Sequence, residues 1–176
     1  MSLQLDVVIH NARTLDSLKL DQKGRLTRKQ WEKELFMAVI FPDQLNNMLL
    51  EYQNPIQDVI FIGSMYGVVA PNPSLYKDFK RDSPMNYGVA KAAQIHMVKE
   101  MAVRYSDLGI RVNCVSYGGV EGRANSSFMA RYAELSPSGR MLNEQDLYPP
   151  IKFILENIDI PLTGENIKVD GGWTLW

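Results

Sequence analysis

With 176 residues, 45% of them hydrophobic and 22% charged, the chain has the length of one domain and enough apolar content for a sizeable core. A formal net charge of -1 excludes the electrostatic footprint of a nucleic-acid binder or of a protein held at an anionic membrane surface. The single cysteine, Cys114, cannot close an internal disulfide; within the apolar run "IRVNCVSY" it reads as a buried small residue of a reducing compartment.

No apolar run approaches the ~18 residues of a membrane span. The opening "MSLQLD" has neither the charged start nor the long apolar middle of a secretion signal. The expected address is the cytoplasm, with no membrane and no nucleic acid as partner. Met1–Leu3 read as an added leader as readily as native sequence.

Leu5–Ala12 ("LDVVIHNA") is nearly all apolar, as a strand buried on both faces would be. A polar turn leads to a long helix from about Thr27 to Tyr52, with Thr27 as N-cap. Asp58–Ser64 ("DVIFIGS") is the second strand, followed by a loop holding Pro71, Pro73 and Pro84. A second long helix starts at Met85 and is stopped by Gly109. Ile110–Gly119 forms a third strand; helical stretches follow from about Ala124 to Glu134 and from Asn143 to Asn157, and "ENIKVDGG" closes as an edge strand.

Apolar strands alternating with helices predict an α/β fold: a parallel, Rossmann-like sheet with flanking helices joined by right-handed crossovers, one domain over residues 1–176. In such sheets ligands bind at the carboxyl ends of the strands. That rule brings Asn11, Ser64 and Ser116–Gly119 together whatever motifs they carry.

The pattern Y-x-x-x-K occurs three times, at Tyr76/Lys80, Tyr87/Lys91 and Tyr148/Lys152. Only Tyr87 and Lys91 lie on an alanine-rich helix that continues well beyond them, where residues four apart share a face. Tyr76 and Lys80 fall in a charged loop, and Tyr148 and Lys152 straddle Pro149 and Pro150. A free tyrosine, with a pKa near ~10, is too weakly ionised to act as a base at neutral pH. An ammonium one helical turn away favours phenolate, and such a pair can pass a proton to or from an alcohol or carbonyl. An interfacial tyrosine beside a solvated lysine has the same spacing, so the neighbouring segments decide.

Those segments resemble the short-chain dehydrogenase/reductase family over most of the chain. "VVIHNA" is similar to the strand ending in an Asn-Ala step, "FIGSMYG" to the serine strand and "YGVAK" to the tyrosine–lysine helix. "IRVNCVSYGGV" is similar to the following strand and cofactor loop, and "LTGENIKVDGGW" to the C-terminal strand and its Asp-Gly-Gly ending. The resemblance implies that Ser64 hydrogen-bonds the reacting oxygen and Tyr87 is the general acid/base. It implies that Lys91 lowers the tyrosine's pKa and holds the nicotinamide ribose. Asn11, Ala12, Tyr117, Gly118, Gly119 and Val120 would line the nicotinamide side of NAD or NADP, with Tyr87 and Lys91 completing it.

Several features depart from that pattern. The glycine-rich turn that receives the pyrophosphate has no counterpart in this sequence, so the chain corresponds to the C-terminal two-thirds of such an enzyme, with an apolar strand edge left to cover. Ala38 stands where the family has a helix-breaking asparagine whose carbonyl holds a relay water. Pro42, lacking an N–H, would leave the Ala38 carbonyl free by another route, or simply kink or end the helix. Arg13 replaces a glycine, Tyr117 a proline, and "EGR" (residues 121–123) the threonine region beyond Val120. The segment "NPSLYKDFKRD" lengthens the gap between Ser64 and Tyr87 and would overhang the substrate; Lys77, Lys80 and Arg81 in it either meet an anion or are simply solvated. "SMYG" with this insertion is similar to oxidoreductases of bacterial surface-glycan and flagellin modification, which implies a sugar-type substrate.

The other polar candidates read as structural: His10 as a hydrogen-bonded core residue, His96 as helix packing, Asp170 as a turn residue. Two histidines and one cysteine give no metal-ligand cluster. Three readings follow. One is an NAD(P)-dependent oxidoreductase of a small hydroxyl or carbonyl compound, homo-oligomeric through its two long helices. Another is a non-catalytic partner or remnant of such an enzyme. The third is a sugar-nucleotide epimerase or dehydratase with a similar tyrosine–lysine pair, against which "VDGGW" argues.

Overall fold

The β-branched runs form the centre of a parallel sheet. β2 (Asp58–Ser64) pairs with β3 (Arg111–Tyr117) over its whole length, setting Val59 against Val112 and Phe61 against Cys114. β1 (Val7–His10) adds to the free side of β2 and β4 (Asn166–Val169) to that of β3, giving the order β1-β2-β3-β4. The structure, a computed structural model, describes residues 4–122 and 124–176. Met1–Leu3, which read equally as leader or native sequence, and Arg123 of the "EGR" segment lie outside the described residues.

Alternation along the strands separates two cores. Val8, Val59, Phe61, Val112 and Cys114 face α4 (Met85–Arg104), whose Val98, Met101 and Ala102 pack on them. Ile60 and Val115 face the other way, onto Ile154 of α6 (Tyr148–Glu156). At the amino ends of the central strands, Asp58 and Arg111 form a buried ion pair at 2.8 Å, and the same guanidinium donates to the carbonyls of Ile154 and Asn157.

Two expectations need correction. The first strand is shorter than Leu5–Ala12 and is not buried on both faces: Ile9 is 46% exposed and Asn11 and Ala12 are open. Ile9 lies in register with Ile60, but α6 covers that face only over β2 and β3. Likewise His96 does not pack. Its side chain is 73% exposed, 3.7 Å from Glu100, because Ala90, Gln94, Val98 and Met101 make up the buried stripe of α4.

The first long helical segment runs as expected but not as one regular helix. α1 (Arg28–Leu35) and α2 (Phe41–Glu51) are joined by a π-turn, Phe36–Ile40, in which the Phe41 N–H donates to the Phe36 carbonyl. The turn falls directly before Pro42, which has no N–H for the Ala38 carbonyl; single π-turns of this kind recur at functional sites. Thr27 starts the helix, its N–H donating to Gln30 Oε1 at 3.2 Å.

Other structural readings hold. His10 Nε2 meets Asn46 Oδ1 at 2.9 Å, and its ring lies 4.6 Å from that of Phe61. Asp170 accepts from the N–H groups of Gly172 and Thr174, fixing the "VDGGW" turn that lays Trp173 on Tyr132, ring centroids 4.4 Å apart. α5 (Ser126–Leu135) carries Tyr132 and begins at Asn125, whose side chain caps the Phe128 N–H.

Candidate active site

Two adjoining cavities open at the carboxyl ends of the strands, as expected for a parallel sheet. The first, of about 570 Å³, is lined by Asn11, Ala12, Ser64, Tyr87, Lys91, Tyr117, Gly118 and Val120. These are the sequence candidates except Gly119, which faces the second cavity of about 530 Å³ and donates its N–H to Tyr132 Oη at 2.9 Å. Arg13 and Val120 line both.

Ser64 ends β2 and enters a tight turn, Met65–Gly67, pressed onto the first turns of α4. Two glycines permit that approach. A Cβ on Gly88 would stand 2.9 Å from the Tyr66 carbonyl oxygen, and one on Gly67 would stand 2.8 Å from the Lys91 carbonyl carbon. The serine strand and the tyrosine–lysine helix are therefore held together by main-chain contact. Ser64 Oγ accepts from the Tyr66 N–H at 3.2 Å, so its own O–H is the group available to a ligand.

Tyr87 makes no side-chain hydrogen bond among the described residues, and its ring carries the Arg13 guanidinium 4.6 Å from its centroid. Lys91 does not reach towards Tyr87 with all its donors. Its Nζ donates to the Ile62 carbonyl at 2.6 Å and to Gln94 Oε1 at 3.0 Å, leaving one N–H for the cavity it lines. Burial lowers the Lys91 pKa to about 8. Gln94 Nε2 in turn donates to the Ala38 carbonyl at 3.1 Å. The carbonyl that Pro42 cannot satisfy is thus joined to Lys91 by one side-chain amide.

The other tyrosines at the two cavities act differently. Burial pushes the phenols of Tyr66, Tyr76 and Tyr132 up, and that of Tyr117 up to about 12. They stay protonated at neutral pH, as donors or wall. Tyr66 and Tyr76 hydroxyls bond each other, and Tyr117, where a proline was expected, fills the wall and donates to the Leu147 carbonyl.

The long segment before α4 is anchored by its apolar residues while its charged ones stay exposed to solvent. Leu75 is fully buried, and Tyr76 packs edge-on against Phe128. Of its cations only Lys77 lines the second cavity; Arg81 lies 3.6 Å from Asp78. Sequence reasoning missed Gln94 and Arg131. Gln94 was visible as a polar residue, beside Asn86, in the buried stripe of α4, one turn beyond Lys91. Arg131 gave no signal, because its Nε donates to the Leu75 carbonyl across 56 residues of chain.

A serine at the end of a central parallel strand, facing a Tyr-x-x-x-Lys helix across a strand-end cavity, defines an α/β protein of the short-chain dehydrogenase/reductase type. The chain belongs to that family, and the family model described as enoyl-(acyl carrier protein) reductase matches residues 3–174. It is 30% identical over 118 residues to post-translational flagellin modification protein A of Campylobacter coli, covering 67% of this chain and 46% of that protein. To a sorbose reductase of Candida albicans it is 31% identical over 126 residues, 69% of this chain and 42% of the relative. A short chain dehydrogenase from Leptospira borgpetersenii, solved with bound NAD+, superimposes with a TM-score of 0.81 at 27% identity, covering 96% of this chain and 65% of that one. The chain spans about half the length of the curated relatives it matches.

Proposed function

We propose that the chain is the catalytic part of an NAD(P)-dependent oxidoreductase that interconverts a hydroxyl and a carbonyl on a small, sugar-type compound. The observation that supports this most is the meeting of Ser64, Tyr87 and Lys91 at one strand-end cavity beside Asn11 and Gly118. The cavity suits the nicotinamide-ribose end of the cofactor: it combines apolar wall from Ile62 and Ile151 with the free donors of Ser64 and Lys91 and the amide of Asn11. NAD or NADP, when bound, supplies or accepts the hydride.

The chain's own groups handle the oxygen and its proton. Ser64 Oγ–H donates to the reacting oxygen, and Tyr87 takes the hydroxyl proton on oxidation or returns it on reduction. Lys91, fixed by Ile62 and Gln94, offers its third N–H to the ribose and its charge to the tyrosine. The relative that supports a sugar-type substrate is the sorbose reductase.

A second reading, a unit that works only when joined to further chain or a partner, is favoured by the unpaired outer edge of β1, an end strand of the sheet among the described residues. The proposed homo-oligomer would form through the two long helices, whose outer faces expose Phe36, Ile40, Val89 and Val103.

Titration with NADH and NADPH, followed by nicotinamide fluorescence and confirmed by calorimetry, tests the proposal. Binding in the micromolar range supports the oxidoreductase. No binding up to millimolar cofactor overturns it for this chain alone and favours the second reading.

A further inference from the structure

We infer that the substrate carries an oxyanion group, a carboxylate or phosphate, held by Arg13 and Arg131 in the cavity beside the proposed reaction centre. The inference rests on the oxidoreductase reading for the placement of the reacting carbon at Tyr87, and on the second cavity for the rest.

Three cations line that cavity, Arg13, Lys77 and Arg131, against one carboxylate, Asp82. Among the described residues none of the three cations lies within ion-pair distance of a carboxylate. The arginines of α3 (Phe79–Asp82) and α4, by contrast, are paired, Arg81 with Asp78 and Arg104 with Glu100. Arg131 is oriented before any ligand arrives. Its Nε–H is taken by the Leu75 carbonyl at 2.8 Å, which fixes the plane of the guanidinium and leaves the two terminal nitrogens to donate as a fork. Arg13 lies over the Tyr87 ring at 4.6 Å and borders both cavities, so it stands between the reacting oxygen and the second cavity.

A planar fork held in place suits a carboxylate or phosphate, which accepts two parallel N–H bonds. An uncharged sugar face, by contrast, needs a mixture of donors and acceptors. The protonated phenols of Tyr66 and Tyr76 are engaged with each other, so the strongest free donors in the cavity are cationic. The substrate class is therefore an acidic hydroxy or oxo compound, such as a sugar acid or sugar phosphate.

Calorimetric titration of the purified chain with two matched pairs tests this: succinate against succinamide, and glucose 6-phosphate against glucose. One anion of the two should bind at least about tenfold more tightly than its neutral partner, since it accepts charge-assisted hydrogen bonds that the neutral compound cannot. The pair that shows the preference tells carboxylate from phosphate. Arg13→Gln and Arg131→Gln should each erase most of that preference. If Arg131→Gln melts at a much lower temperature, Arg13→Gln and Lys77→Gln decide, because neither parent side chain hydrogen-bonds the fold among the described residues. Equal binding of charged and neutral partners, or a preference that survives Arg13→Gln, would overturn the inference. NADH titrated in parallel separates the two claims. Anion preference without NADH binding sinks the oxidoreductase reading alone, and NADH binding without anion preference sinks this one alone.

Discussion

Lys91 and Gln94 are joined by a 3.0 Å hydrogen bond, Nζ donating to Oε1, and the far side of the same amide donates to the Ala38 carbonyl. The amide therefore ties the lysine of the Tyr-x-x-x-Lys helix to the π-turn before Pro42. Replacing Gln94 with Leu, of similar size, leaves one buried donor and one buried carbonyl unpaired. Each unpaired group costs about 1–3 kcal/mol. The denaturation midpoint should fall accordingly, and the pH–rate profile should move because Lys91 has lost an anchor. An unchanged midpoint and profile would show that the bridge contributes nothing.

Pro42 bears on the same carbonyl. In Pro42→Ala the new N–H can compete for Ala38, closing the π-turn towards a regular α-helix. Hydrogen exchange should find the residue-42 amide protected. A freely exchanging amide would mean that the π-turn does not depend on the proline. Activity with an undisturbed pH profile in the same variant would remove Pro42 from any part in the proton route.

Lys91 also predicts a pH effect on stability. Its folded pKa, lowered to about 8, lies below the unfolded value near 10.5. Between those values the unfolded chain holds the extra proton, so stability rises with pH across that window and the burial cost is fully felt below it. The span corresponds to on the order of 3 kcal/mol. Urea midpoints measured from pH 7 to pH 9, below the range in which the buried tyrosines and Cys114 oppose the effect, should climb in the wild type, and the climb should flatten in Lys91→Met.

Asp58 and Arg111 close the amino ends of the two central strands, with side chains 4% and 14% exposed. Asp58→Ala strands the guanidinium in the interior, and removing one partner of a buried pair costs about 3–5 kcal/mol. Thermal unfolding should show the loss, and Arg111→Met added to Asp58→Ala should recover part of it. No recovery would mean that the cost lies in packing rather than in the uncompensated charge.

What the sequence disclosed follows from which forces are local. Asp58–Ser64 was readable in full, because a β-branched run between turns has one stable solution when both faces are covered. β1 had the same apolar letters but an uncovered face, and letters do not report what lies above a strand. Tyr87 and Lys91 were separable from two identical spacings by helix continuity, a local property. His96 was misjudged although the buried stripe that excludes it was visible in α4 itself. Arg131 and the meeting of Gln94 with Ala38 depend on contacts spanning 56 residues in each case, which no local pattern encodes.

The most direct test of the central claim is the rate of NADH or NADPH oxidation with a panel of oxo-sugars and sugar acids, comparing wild type with Tyr87→Phe. The proposed role predicts turnover in the wild type and a fall in kcat of about 10²-fold or more in the variant, with cofactor affinity preserved. Equal kcat in the two proteins would contradict it, showing that the proton passes through another group and that the cavity shared by Ser64, Tyr87 and Lys91 is not the reaction centre.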